Sequence, residues 1–429
     1  MTCEIIVANR LGVALAADSA VTYSRNDGNQ TFSSGANKIF QLASTRPVAA
    51  MIYNNANLES IPWEIIIKEY RSCLSSNGFN QLSEYKKNII DFLNNNIQLI
   101  PNNIREKLTL SAYYQIINKI ITTAHQEIKN NNNNNKEKIT EAWKVEIQKV
   151  KEYLEKEEID ETLDKKEIEE QKEKNKDRLI NDTKEYIETN HSLLIDSINY
   201  EEFIDLVIDT AFTGVTKKAH NYTGLVISGY GDNEYLPSYH SIKIHGFIGK
   251  KLLWEKDGDQ AINYGAASSF IQPFAQSNMV NTFTLGASPE AWRDAQHFFT
   301  KYSTDACRQA ATQAGVSIPE EAIAAAVSNS LKSFTNDWGY ATFNAHMRPL
   351  RDVVSGLAVP ELAELAENLV MLESLKEKVT SRTQSVGGPI DVAVITRSEG
   401  LVWIRRKLHF QPELNQRYLM RLQTQYGAN

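Results

Sequence analysis

Cysteine is scarce in this chain. Cys3, Cys73 and Cys307 are the only three in 429 residues, odd in number and far apart. A disulfide framework needs pairs, so this usage fits a reducing compartment, and a cytoplasmic protein is the expectation. Histidine is sparse too, eight in all, and none stands in a metal-ligand spacing such as H-E-x-x-H. Apolar runs long enough to span a bilayer are missing. The first residues lack a basic start, and Glu4, Asn9 and Arg10 interrupt their apolar run, so a secretory signal is not expected. Gly229 and Gly231 in SGYGD are too few for a phosphate-binding loop. A net charge of −7 gives no support to a nucleic-acid partner. Neither a metal nor an organic cofactor is expected, and neither is a nucleic-acid or membrane partner.

What is present is an ordinary apolar fraction, 42%, in a chain long enough to bury a large core. Cys3 to Asn9 and Gly12 to Ala17 read as two strands joined at Asn9-Arg10-Leu11-Gly12. Lys38 to Leu42 and Pro47 to Tyr53 read as a second pair. Runs made mostly of Ala, Val, Ile and Leu suggest strands covered on both faces. A helix follows, with Ser60 as its expected cap and Pro62 in its first turn. Trp63, Ile66, Ile67 and Tyr70 fall on one of its faces.

The composition then changes. Asn130 to Asn135 is an asparagine run, and Lys136 to Lys184 is dominated by Glu and Lys. Ile139, Trp143, Ile147, Val150 and Leu154 step by three and four, which predicts a helix with one apolar face. This stretch reads as a solvated helical insertion, or as an arm that docks a partner. Strand character returns at Thr223 to Tyr230, Ser241 to Phe247 and Lys251 to Trp254. Helical sequence runs from about Pro289 to Lys378, with Pro319 and Pro360 near helix starts, and two strands close the pattern at Pro389 to Ile395 and Leu401 to Ile404. The order suggests two antiparallel sheets packed together with helices outside.

Three residues near the start can carry chemistry: Thr2, Asp18 and Lys38. Singly, each has an ordinary reading, as a second residue, a turn aspartate and a solvated lysine. Together they offer more. A threonine hydroxyl is a weak nucleophile that needs a nearby base. If Met1 is removed, the α-amine of Thr2, with a pKa of about 7.7–8.0, is one such base on the same residue. An ammonium beside the hydroxyl favours its alkoxide form, and a carboxylate beside that ammonium keeps it charged and oriented.

The segments around these residues are Thr2-Cys3-Glu4-Ile5-Ile6-Val7, GVALAADSAVT from Gly12 to Thr22, NKIFQL from Asn37 to Leu42 and VAAMIYNNA from Val48 to Ala56. Together they closely resemble the opening of proteasome β-subunits and their bacterial relatives, including Anbu-type (ancestral β-subunit) peptidases. The resemblance covers roughly residues 2–75, 223–275 and 358–405. It implies an α+β fold, the four-layer αββα sandwich of N-terminal nucleophile (Ntn) hydrolases. It also implies Thr2 as nucleophile and base, supported by Asp18 and Lys38, with a backbone N–H at Tyr53 or Asn54 donating to the oxyanion. The family's amine-supporting serine aligns with Ala266, so Ser268 or Ser269 takes that role only after a small shift. SVGGPIDVAVI from Ser385 to Ile395 resembles the family's S-G-G turn and offers Thr383 and Ser385 in the same supporting role, beside a plain turn role, with Val386 where a further polar residue would stand.

The expected organisation is an Ntn core over residues 1–75 and 200–429, with extra helices at about 289–357 and an inserted charged arm over 76–199. The expected function is a proteasome-like threonine-type amide hydrolase acting on peptides or proteins. A non-catalytic scaffold of the same fold and a non-peptide amidase are the alternatives. The resemblance also implies a homo-oligomer, a ring or a spiral.

Overall fold

The computed structural model describes residues 2–24, 30–74, 78–130, 136–218, 222–265, 268–380, 386–408, 410–417 and 419–420. The protein is a mixed α/β chain built on antiparallel sheets. Its strands are β1 (Cys3–Asn9), β2 (Val13–Ala17), β3 (Val21–Ser24), β4 (Gln30–Ser33), β5 (Ile39–Gln41), β6 (Val48–Asn54), β7 (Asn57–Leu58), β8 (Ile61–Pro62), β9 (Thr223–Gly229), β10 (Ser238–Ile248), β11 (Lys251–Ala261), β12 (Ser269–Ala275), β13 (Asp391–Thr396) and β14 (Gly400–Arg405). Its α-helices are α1 (Trp63–Cys73), α2 (Leu82–Asn95), α3 (Asn102–Asn130), α4 (Lys136–Lys156), α5 (Lys166–Asn190), α6 (Tyr200–Phe212), α7 (Asn278–Leu285), α8 (Pro289–Gln313), α9 (Glu320–Thr342), α10 (Arg348–Gly356) and α11 (Val359–Thr380). The first sheet has the order β12-β1-β2-β13-β14 and the second β11-β10-β9-β6-β5.

The unbroken apolar runs of β1 and β2 have a physical cause: both faces of these strands are covered. On one face Ile6, Ala8, Val13, Leu15 and Ala17 meet Ile39, Ala49, Met51, Tyr53 and Val226 of the second sheet. On the other, Cys3, Ile5, Val7, Ala14 and Ala16 pack on Leu362, Ala363, Ala366, Leu369 and Val370 of α11. Each fully buried Leu or Val there contributes about 1.5–3 kcal/mol. The outer face of the second sheet, with Val48, Ala50, Ile52, Leu225 and Ile227, is covered by α1 and α2.

Three sequence expectations change in detail. Ser60 does not cap α1, whose N-cap is Pro62 with no side-chain bond. The region expected as a charged arm from residue 76 contains α2, yet Leu82, Tyr85, Ile89 and Leu93 of α2 join the core under the second sheet. Strand β12 was not anticipated, because Pro273 lies within it and its pattern does not alternate. It is an edge strand, where a residue without an N–H is tolerated.

Helices α3 to α6 form their own apolar cluster, including Tyr113, Ile121, Trp143, Leu179, Phe203 and Phe212. Ile139 and Trp143, on the predicted apolar face, are buried in it. The cluster joins the second sheet through Ile248 and Leu253. Helix α8 has no buried residue and meets α9 through Trp292, Phe299, Phe334 and Trp338. Among the described residues no helix is long and apolar enough to cross a membrane.

Candidate active site

Strand alternation sets up the site. Thr2, Glu4, Ile6 and Ala8 share a parity, and Ile6 and Ala8 face the space between the sheets. Thr2 and Glu4 therefore open toward the same space at the start of β1. Asp18 follows the last residue of β2, and Lys38 precedes the first residue of β5 on the facing sheet. The Lys38 Nζ is 2.5 Å from Asp18 Oδ1 and 3.2 Å from Glu4 Oε1. The Thr2 hydroxyl donates to Glu4 Oε2 at 3.1 Å. All four are buried, at 5% exposure or less. Thr2, Asp18 and Lys38, selected from the sequence, are thus brought into one cluster.

Asp18 is held from several directions. Its Oδ1 accepts the Cys3 N–H at 3.0 Å as well as the lysine, and its Oδ2 accepts the N–H groups of Ala20 at 3.1 Å and Gly387 at 2.9 Å. The Gly387 carbonyl in turn accepts the Ser19 N–H at 3.1 Å. The S-G-G-like turn therefore does reach the site, through its backbone.

Two carboxylates share one ammonium, and this fixes the protonation pattern. Burial pulls the Lys38 ammonium down, but Glu4 and Asp18 more than offset it, and its pKa is raised. Glu4 goes up from 4.5 to about 7: burial raises it, Lys38 lowers it and Asp18 raises it again. Cys3 is pushed well above its ordinary value, first by burial and then by Glu4 and Asp18, so it is a packing residue and not a thiolate.

The turn after β6 lines the same small pocket as Thr2: Lys38, Ile52, Tyr53, Asn54, Asn55 and Ala56 are among its walls. Asn54 has a φ of 68°, a left-handed conformation that asparagine tolerates, and its side chain donates to the Tyr222 carbonyl at 2.7 Å. Tyr53 does not disturb this turn, because its ring points between the sheets. Its hydroxyl donates to Asp257 at 2.6 Å, and its ring lies against Gly224, where a Cβ would fall 1.9 Å from the ring. Burial first, then the bond to Asp257, keeps the phenol protonated.

Ser268 and Ser269 are a correction. Strand β12 runs antiparallel to β1, with Ala275 opposite Cys3 and Ser269 opposite Asn9. Ser269 thus lies at the far end of β1, about 24 Å from Thr2 at ~3.4 Å per residue, with Ser268 one residue beyond it. Its hydroxyl instead donates to the Arg351 carbonyl at 2.6 Å. Thr2 is met instead by Gln276, the residue after β12, whose N–H donates to the Thr2 carbonyl at 2.9 Å. Ala266, Thr383 and Ser385 lie outside the described residues. The residue missed from sequence is Glu4, read there only as an interruption of an apolar run; its parity with Thr2 was the available signal.

No family model matches the chain, and no curated protein matches it. Two solved structures similar to it are an Anbu (Gly-1) mutant from Hyphomicrobium sp. strain MC1, at a TM-score of 0.29, and Anbu (ancestral beta-subunit) from Yersinia bercovieri, at 0.28. Each is 9% identical, with 100% of this chain and 97% of the other covered. Likeness at those TM-scores carries no weight for the chemistry, which rests on the geometry above.

Proposed function

We propose that this chain is a threonine-type amide hydrolase of the proteasome β-subunit and Anbu kind, acting on peptides or proteins. The observation that carries the reading is the buried set Thr2–Glu4–Lys38–Asp18, in which a hydroxyl, an ammonium and two carboxylates lie within 3.2 Å of one another in sequence along the set. A purely structural core does not need it. Removing charges from water is costly, and apolar residues of similar volume would hold two sheets together at least as well. In the proposed reaction Thr2 Oγ1 attacks the substrate carbonyl carbon, and a backbone N–H of the Tyr53–Asn54 turn donates to the oxyanion. The leaving nitrogen departs protonated and an ester forms on Thr2. Water then cleaves the ester, activated by the α-amine of a mature chain that starts at Thr2.

The fold reading that accompanies this function is the four-layer αββα sandwich, supported by apolar clusters on both faces of both sheets. The arm, drawn from sequence over 76–199, is on packing grounds better drawn from α3 onward. Assembly into a homo-oligomer and a cytoplasmic location belong to the same proposal. A second reading, a partner-binding protein of this fold without turnover, is favoured by the distance of Ser269 from Thr2.

Intact-mass analysis after treatment with a threonine-directed epoxyketone tests the choice. The hydrolase reading expects a chain lacking Met1 and carrying one adduct, lost in Thr2→Ala. Retained Met1, or no adduct on a folded protein, supports the second reading.

A further inference from the structure

Among the groups around Thr2, only some can receive its hydroxyl proton. Lys38 cannot, since two carboxylates keep it an ammonium. Asp18 is saturated: a carboxylate offers about four acceptor sites, and Cys3, Ala20, Gly387 and Lys38 occupy them. Glu4 is different. One oxygen faces Lys38, and the other already accepts the Thr2 hydroxyl at 3.1 Å. Ser269, which the resemblance called on beside the Thr2 amine, stands at the other end of β1.

We propose that Glu4 is a catalytic residue: its carboxylate takes the Thr2 hydroxyl proton as Oγ1 attacks, then delivers it to the leaving nitrogen. This assignment rests on the hydrolase reading and divides the labour within it. In acylation, the Thr2 O–H bond breaks as the Oγ1–carbon bond forms, the carbonyl electron pair moves to oxygen, and Glu4 holds the proton. When the intermediate collapses, the carbon–nitrogen bond breaks and Glu4 returns the proton to the departing amine. In deacylation the α-amine takes a proton from water and gives it back to Thr2 Oγ1, so each step ends with its base restored.

The surroundings suit the task. Charged groups facing Glu4 are Lys38 from the second sheet and Asp18 from the end of β2, and Glu373 of α11 lies beyond β1, beside Cys3. Burial and Asp18 hold Glu4 near about 7, against the pull of Lys38, which is where a base working at neutral pH is most effective.

The test is the rate of Thr2 acylation by an aliphatic β-lactone, followed by mass spectrometry from pH 5.5 to 9 on the full chain. Wild type is expected to label faster as pH rises through about 7. Glu4→Gln is expected to label about 100-fold more slowly and to lose that rise. Glu4→Asp, which keeps the charge but withdraws it from Thr2, is expected to label slowly while retaining a pH rise. It decides the matter if Glu4→Gln does not fold. Wild-type rate and pH profile in whichever of the two variants folds overturns the assignment alone. A folded wild type that is never acylated at Thr2 overturns the hydrolase reading, and the role of Glu4 with it.

Discussion

Two groups of lysine–carboxylate pairs in this molecule contrast sharply. Across the segment from α3 to α6 they are numerous and wet: Lys151 meets Glu202 at 2.6 Å and Lys136 meets Asp196 at 2.7 Å, with all four side chains at least 41% exposed. The cluster of Lys38 with Asp18 and Glu4 between the sheets is, by contrast, almost dry. The distances are alike, yet the energetics differ. Water screens the surface pairs and nearly cancels their value. In the core, desolvation sets the scale, and losing one partner strands a charge. The stability of the α3–α6 segment therefore comes from apolar contacts such as Trp143 against Phe203, while the buried cluster is a cost that the proposed chemistry would explain.

The largest predicted contrast comes from Lys38→Met. It leaves two carboxylates without a counter-ion and is expected to cost about 3–5 kcal/mol in urea unfolding at pH 7.5. Adding Glu4→Gln to Lys38→Met should recover part of that loss, because one of the stranded charges is gone. Failure of the double variant to recover any stability would show that the two groups are not coupled.

A smaller effect is expected from pH. The folded pKa of Glu4, about 7, lies above its ordinary 4.5, so the folded state keeps this proton longer than the unfolded chain. Its contribution is complete below pH 4.5 and is lost as pH rises through about 7. Glu4→Gln should therefore flatten the fall in stability over that window, as read by unfolding midpoints at closely spaced pH values. An unchanged slope would mean that Glu4 titrates normally.

The smallest effect belongs to the surface. Lys151→Ala should change stability by no more than about 1 kcal/mol, and less at high salt.

Much of this arrangement was legible in the sequence, for identifiable reasons. Strands β1 and β2 are covered on both faces, so their unbroken apolar runs marked them clearly. Thr2, Asp18 and Lys38 each sit at a strand end; the β1–β2 pairing sets the first two side by side, and the facing sheet brings Lys38 to them. Glu4 escaped notice because a single carboxylate in an apolar run reads as an interruption until its parity with Thr2 is combined with a facing sheet. Ser268 and Ser269 were misassigned because register is not a local property. The edge strand that carries Ser269 is masked by Pro273, and only its antiparallel pairing with β1 shows which end meets Thr2. Helix α2 was absorbed into the arm because polar residues surround it, whereas its buried face, Leu82, Tyr85, Ile89 and Leu93, belongs to the sheet.

The most direct measurement is hydrolysis of a fluorogenic peptide library by the mature wild-type chain, Thr2→Ser and Thr2→Ala, with folding of each checked by circular dichroism. A catalytic Thr2 predicts that the serine variant keeps part of the activity and that the alanine variant loses it. Equal hydrolysis by Thr2→Ala and wild type would contradict the assignment of Thr2 as nucleophile.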